Sequence, residues 1–270
     1  YYRTKCTLFQ WAPDRNLLFR SGPFDNLNIM KSYIPFLFYG LGLNAQSGEI
    51  PNNSPLSILS TIQESVALVT IPKTFNPIWV DSLNLQLPCE KVYVPKRTQR
   101  LPNAPRDYRS GTHRGIDFFA NWGTPVNSVA DGIVIRADHG YEEVPPDFRL
   151  NMLDASAKVG HTPSDIFNNI LLGQAIFLDH GFDLIPGFRT ISIYAHLSHI
   201  NENIKPGTKI KMGDVMGKTG NSGIRESTLG SRAGAHLHWE MILQKDEQEI
   251  YLGKDVSNPD LYNMLNRIFQ

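Results

Sequence analysis

Residues 234–241 read "GAHLHWEM", and this stretch decides how the rest of the chain is read. Two histidines, His236 and His238, stand one residue apart in an otherwise apolar run. Successive side chains of a β-strand point to opposite faces. His236, His238 and Glu240 therefore share one face, and Leu237, Trp239 and Met241 share the other. The second set suits a core. The first aims two imidazoles at one place.

Working outward, further short apolar runs flank this strand: "QAIFLDHG" (174–181), "TISIYAHLS" (190–198) and "DVMGKTG" (214–220). Each is bounded by Gly, Asn, Asp or Pro, the pattern of short strands separated by turns. Within "TPVNSVADGIVIRAD" (124–138), Asp131-Gly132 between two β-prone runs predicts a hairpin. The fold class expected is mainly β, an antiparallel sheet or sandwich. Residues 141–174 form an insert too long for a plain connection. It holds two expected short helices, one over about 147–158 before Gly160. The other runs from Ser164, read as an N-cap, to Leu172, with Gly173 as its stop. A C-terminal helix is expected after Asn258, with Pro259 in its first turn.

Upstream, residues 46–56 are polar and read as a linker. The β-prone pieces "SVALVTI" (65–71) and "PIWVDSLNLQL" (77–87) suggest a small β-rich N-terminal region, and 94–111 reads as a Pro-, Arg- and Gly-rich loop. From Met30, Lys31 precedes an apolar run from Tyr33 to Leu43 and then Ala45. That is the order of a secretory leader, with cleavage expected near Ala45–Gln46. The chain then divides into 1–29 (upstream, non-native sequence), 30–45 (signal peptide), 46–105 (N-terminal β-rich extension) and 106–270 (main domain with its insert at 141–174). Export to the periplasm, cell envelope or exterior is the expectation that follows.

Across its 270 residues the chain carries 26 basic and 26 acidic side chains. A nucleic-acid binder working through the phosphate backbone would show a basic excess, so no nucleic-acid partner is expected. No run approaches the ~20 apolar residues of a spanning helix, so no membrane span is expected either. Of the two cysteines, Cys89 reads as a buried apolar filler.

The chemistry comes from combining the paired histidines with "GTHRGIDFF" (111–119). His113 and Asp117 are four residues apart, a separation that places both on one face of a strand or a helix. Gly115 lies between them, where a side chain would crowd a bound ion. Imidazole and carboxylate are both good zinc ligands. One histidine of the later pair completes a two-His, one-Asp set that leaves a fourth position open, the arrangement of a catalytic rather than a structural zinc. His196 ends an apolar strand and reaches the same pocket if that strand borders the metal strand. The histidine of the pair that is not a ligand is free to handle protons or to stabilise an oxyanion.

Residues 106–243 resemble the lysostaphin-type, LytM-like zinc endopeptidases, whose fold is a duplicated hybrid motif. The resemblance rests on "HRGID", "GTPVNSVADGIV", "YAHLS", "GDVMGKTGNSG" and "HLHWE", all in the family's order. It implies that His113, Asp117 and His238 bind Zn2+, that His236 is the general base and that His196 stabilises the tetrahedral intermediate. It further implies an open groove over an antiparallel sheet, a peptidoglycan stem peptide or cross-bridge as substrate, and a monomer. Two alternatives remain open: a LytM-like regulatory module that activates other wall hydrolases, and a zinc peptidase acting on non-wall proteins. The sequence departs from the family in the long segment 223–235, which carries Arg225, Glu226 and Arg232, and in the insert 141–174.

The remaining candidates divide. His139, His161, His180 and His199 read as ordinary hydrogen-bonded histidines. Glu240 either orients a metal-site imidazole or caps a solvent-facing strand. Asn221 reads as a turn residue, and the loop arginines as exposed charges.

Overall fold

The computed structural model describes residues 74–246 and 248–269. The leader at 30–45, the upstream segment 1–29, the linker at 46–56 and the strand expected at 65–71 lie outside those residues.

The floor of the molecule is a seven-stranded antiparallel sheet in the order β12 (Gln248–Tyr251), β11 (Leu237–Lys245), β7 (Phe188–Ala195), β6 (Ile176–Ile185), β5 (Gly132–Ala137) and β9 (Lys209–Ile210). β3 (Ile116–Phe118) pairs with β11 off that path. A three-stranded sheet holds β4 (Pro125–Asn127), β10 (Val215–Thr219) and β8 (Leu197–Ile200). A two-stranded ribbon joins β1 (Pro105–Arg106) to β2 (Gly111–Thr112). The expected mainly antiparallel β architecture is what the chain adopts.

The alternation read from 234–241 sets the packing. Leu237, Trp239 and Met241 are buried in the main core with Phe118, Tyr194 and Phe269. The opposite face of the sheet is also covered. Leu172, Ala175, Ile193, Ala195 and Ile242 form a second apolar cluster there, with Phe167 packed against it. Leu172 and Phe167 come from the insert, so the insert sits on the same sheet face as the paired histidines.

The insert contains α1 (Pro146–Val159), closed by Gly160 at φ 78°. A short α2 (Ser164–Ile166) then runs into a π turn, Phe167–Leu171. Ser164 does not cap this helix; Pro163 holds the cap position without a side-chain bond, and Asp165 Oδ1 accepts from Ile166 N instead. A one-turn α3 (Arg225–Thr228) lies in the long segment before β11, and α4 (Asp260–Ile268) closes the chain. Among the described residues no helix is long and apolar enough to cross a membrane.

Two further expectations are corrected. Asp131-Gly132 is not a hairpin turn, because β4 and β5 belong to different sheets. The Asp131 carboxylate accepts from Met212 N at 2.8 Å and from Lys211 Nζ at 2.6 Å, which ties the crossover to the loop before β10. Residues 77–87 are not a strand either. They hold a 3-10 turn, Pro77–Val80, and a single bridge from Leu85 to Phe269. Pro77 and Pro88 deny this segment the run of donors a ladder needs. Its apolar residues Val80, Leu83, Leu85 and Cys89 instead fill the main core. Burial pushes the Cys89 thiol up to about 12, in keeping with an inert filler.

Candidate metal centre

β3 and β11 build the centre. Their register pairs His238 with Asp117 and Leu237 with Phe118. Directly opposed residues of an antiparallel pair have neighbouring side chains, so this register alone brings a carboxylate against an imidazole. His113 arrives differently. It lies outside β3, in the bend that follows β2, where its N–H donates to Ala104 O at 2.8 Å. Its four-residue spacing from Asp117 therefore works through a turn and not through one strand or helix face. Gly115 permits that turn. A Cβ there would stand 2.3 Å from Trp239 O and 2.8 Å from Glu240 Cγ. The obstacle is thus the backbone of β11, not an ion.

The three ligand atoms converge. His113 Nε2 lies 2.9 Å from Asp117 Oδ1 and 3.0 Å from His238 Nδ1, and His238 Nδ1 lies 2.9 Å from Asp117 Oδ1. The far nitrogen of each ring fixes its tautomer. His113 Nδ1 donates to Leu101 O at 2.9 Å, and His238 Nε2 donates to Glu240 Oε1 at 2.8 Å. In the neutral rings both inward nitrogens therefore carry lone pairs. Two lone pairs and a carboxylate oxygen facing one another need a cation between them. His113, Asp117 and His238 are all buried and form the one such cluster found among the described residues.

The electrostatics agree. Burial opposes the charge on Asp117, yet His113 and His238 hold its carboxyl well below the usual carboxylate range. Burial pulls His113 down. Burial also opposes the charge on His238, but the Asp117 and Glu240 carboxylates overcome it and push the ring up to about 9. A site that draws a proton so strongly is one where positive charge is wanted.

Glu240, read two ways from sequence, is fully buried and holds His238. Its other oxygen pairs with Arg114 Nη2 at 3.1 Å. It is an orienting group, as carboxylates behind metal-bound imidazoles commonly are.

His236 and His196 stand beside the cluster. His236 Nδ1 donates to Gly234 O at 2.6 Å, and its Nε2 lies 3.7 Å from Asp117 Oδ1. Its ring stacks on Phe119 at 4.9 Å, and the Arg100 guanidinium covers the far side of Phe119 at 3.6 Å. His196 sits between β7 and β8 with φ 60°, a left-handed conformation sparsely used by non-glycine residues. Its N–H donates to Leu172 O at 2.9 Å and its Nδ1 to Ser222 O at 2.7 Å. Its ring centroid lies 4.8 Å from that of His236 and 5.6 Å from that of His238. Burial lowers both rings, His196 further because His236 and His238 are beside it. All five sequence-predicted residues thus share one pocket of about 180 Å³.

Residues 156–250 match the model of Peptidase family M23. The matched span holds His196, His236 and His238 and begins after His113 and Asp117; β3 brings Asp117 to it through its pairing with β11, and the turn before β3 brings His113. A curated relative, an uncharacterized metalloprotease of Buchnera aphidicola subsp. Baizongia pistaciae (strain Bp), is 28% identical over 137 residues, 51% of this chain. The match spans 25% of that relative's length. Among solved structures, lysostaphin from Staphylococcus simulans is 21% identical, covering 69% of this chain and 52% of that one at a TM-score of 0.33. A zinc-containing peptidase from Vibrio cholerae is 19% identical, covering 66% and 39% at a TM-score of 0.32.

The other sequence candidates go elsewhere. His180 is buried between Asp131 O and Ser192 Oγ, both at 2.7 Å, and His139 bonds Ile204 O at 2.6 Å. His161 and His199 are exposed. Asn221 Nδ2 donates to Ser231 O and Ala233 O, each at 2.8 Å, and so ties off the long segment before β11. Arg232 covers Trp122 at 5.0 Å and does not line the pocket. Sequence reading missed Arg106, Arg109 and Arg149, which do line it. Nothing local marks them as a set, because two separate segments, 105–109 and α1, carry them to one wall.

Proposed function

We propose that this protein is a zinc-dependent endopeptidase that hydrolyses amide bonds in peptidoglycan stem peptides or cross-bridges, acting in the periplasm, cell envelope or exterior. The observation that carries the reading is the convergence of His113 Nε2, His238 Nδ1 and Asp117 Oδ1 on one point at the floor of an open pocket. Two imidazole nitrogens and one carboxylate oxygen suit zinc, and three protein ligands leave a position for water or substrate. When bound there, zinc would lower the pKa of a water and polarise the scissile carbonyl.

The chain's own residues supply the rest. His113 is locked by the Leu101 carbonyl and His238 by Glu240, so neither ring turns to offer its other nitrogen. His236 has its Nδ1 proton committed to Gly234 O, which leaves the Nε2 lone pair facing the centre as a base. The stack on Phe119 fixes the plane of that ring. His196 has its Nδ1 proton committed to Ser222 O. Its Nε2 donates to a developing oxyanion only in the doubly protonated ring. Burial and the neighbouring imidazoles keep the free ring neutral, so His196 takes that second proton only as negative charge builds beside it, while His236 serves as the base.

The test incubates the purified, zinc-loaded protein with peptidoglycan of several wall types, with and without a chelator, and seeks new amino termini by mass spectrometry. New termini that vanish with chelator support the proposal and name the bond. A zinc-loaded protein that frees none from any wall type refutes it.

A further inference from the structure

Three guanidinium groups line the pocket above the centre, Arg106, Arg109 and Arg149, and Asp117 is the only carboxylate among its lining residues. The three are not equivalent. Arg106 Nη2 faces Asp117 Oδ2 at 3.5 Å and so has a counter-charge. Arg109 is 6% exposed, and its hydrogen bonds go to neutral oxygens: Thr162 Oγ1 at 2.8 Å and Thr112 O at 3.2 Å. Arg149, on α1, donates its Nε to Gly223 O at 3.0 Å, and its side chain lines the pocket. Glu143, which also reaches Gly223, is committed to the Gly223 N–H and the Tyr141 hydroxyl.

Among the described residues neither Arg109 nor Arg149 pairs with a carboxylate. Other partly buried arginines do: Arg114 with Glu240, Arg136 with Asp138, and Arg189 with Asp179. A buried cation without a counter-ion is unfavourable; Arg109 is one, and half-buried Arg149 lines the same cavity, whereas half-buried Arg100, which also lacks a carboxylate, lies over the Phe119 ring. Burial pulls Arg109 below its ordinary range, as an uncompensated charge requires. Arg109 also lies 5.4 Å over the Phe167 ring, which holds its planar fork in place. A guanidinium fork matches a carboxylate with two parallel hydrogen bonds.

We infer that Arg109 and Arg149 form a carboxylate-binding wall beside the metal centre, so that the preferred substrate carries a free carboxylate close to the scissile amide. The inference rests on the peptidase reading and names the substrate class within it. Arg109 and Phe167 also line a neighbouring cavity of about 540 Å³. A peptide anchored at Arg109 therefore has room to continue past it, over β2 and the turn at 161–168.

The test uses peptides released from purified peptidoglycan, before and after their free carboxylates are amidated with carbodiimide and ammonia. Binding is measured calorimetrically on the metal-free chain, where no turnover intervenes, and cleavage on the zinc-loaded chain. Wild type is expected to bind the untreated peptides about tenfold or more tightly than the amidated ones. Arg149→Gln is expected to bring that ratio to within about twofold, a loss of charge complementarity. Arg109→Gln is expected to do the same where it folds, and Arg149→Gln carries the test where it does not. Equal binding of both peptide forms by wild type overturns the inference, and so does a preference that survives in Arg149→Gln. The two readings fail separately. Preferential binding of the free carboxylates without any cleavage removes the peptidase reading and leaves the wall. Equal cleavage of amidated peptides removes the wall and leaves the peptidase.

Discussion

Glu240 offers the sharpest perturbation of the centre because it touches the metal only through another residue. It is fully buried, accepts from His238 Nε2 at 2.8 Å and pairs with Arg114 Nη2 at 3.1 Å. Glu240→Gln keeps the shape and one acceptor oxygen but removes the charge that makes His238 a strong ligand. Removal of such an outer partner lowers metal affinity by about 10–100-fold, which is about 1.4–2.7 kcal/mol. Glu240→Ala goes further and leaves the His238 N–H without an acceptor, and it strips Arg114 of its partner. An unsatisfied buried donor costs about 1–3 kcal/mol in stability. Arg114 adds less than a fully buried partner would, since its side chain is 32% exposed and water screens it. The assay is competition for zinc against a chromophoric chelator at neutral pH, with thermal melts of the metal-free proteins run beside it. The expected order of affinity is wild type, then Gln, then Ala, with the melting temperature of Glu240→Gln falling less than that of Glu240→Ala. Two variants that bind zinc as tightly as wild type while staying folded would refute the reasoning, because His238 would then be positioned by something other than Glu240.

Single replacements His113→Ala, Asp117→Ala and His238→Ala are expected to lose stoichiometric metal by elemental analysis. His236→Ala is expected to keep its metal and lose about 10²–10⁴ in rate, the usual contribution of a proton-handling group; full activity in that variant would remove His236 from the reaction. Metal binding should release a proton. His238 in the metal-free chain is pushed up to about 9, so at pH 7 it is charged and must lose its proton to become a ligand, whereas above pH 9 it is already neutral. Affinity should therefore fall about tenfold per unit as pH drops below 9, and calorimetry in two buffers of different ionisation enthalpy should show about one proton released at pH 7; none released at pH 7 would contradict the assignment. Gly115→Ala would place a Cβ 2.3 Å from Trp239 O, and because that obstacle is backbone, the cost should reach the upper end of the ~1–3 kcal/mol typical of overpacking. Both the melting temperature and zinc affinity should drop, and an unchanged melt would show that β3 is free to shift away from β11.

The sequence was most legible where a period of two governs. His236, His238 and Glu240 on one face and Leu237, Trp239 and Met241 on the other follow from strand alternation alone, and the structure keeps that division. The strands at 176–185, 188–195 and 215–219 were legible for the same reason, as were the helix over 146–159 with Gly160 as its stop and the terminal helix at 260–268. Asp131-Gly132 misled because hairpin chemistry is local, while the pairing of β4 with β10 and of β5 with β6 is not. The stretch 77–87 misled because its apolar content suits a strand, and its burial comes from packing on the core without a ladder.

Local sequence determined which side chains bear chemistry, because residue type and strand period are properties of a few consecutive positions. Tertiary structure decided how they meet. The pairing of His238 with Asp117 is a matter of register between segments more than a hundred residues apart. His113 reaches them through a turn that Gly115 alone allows. The role of Glu240 was settled by burial, since the same glutamate on an open sheet would face water. Arg109 and Arg149 became a single wall only when the insert folded back over the sheet. A charge acquires meaning from its neighbours and from its distance to solvent, and both are set by contacts that no local stretch of sequence contains.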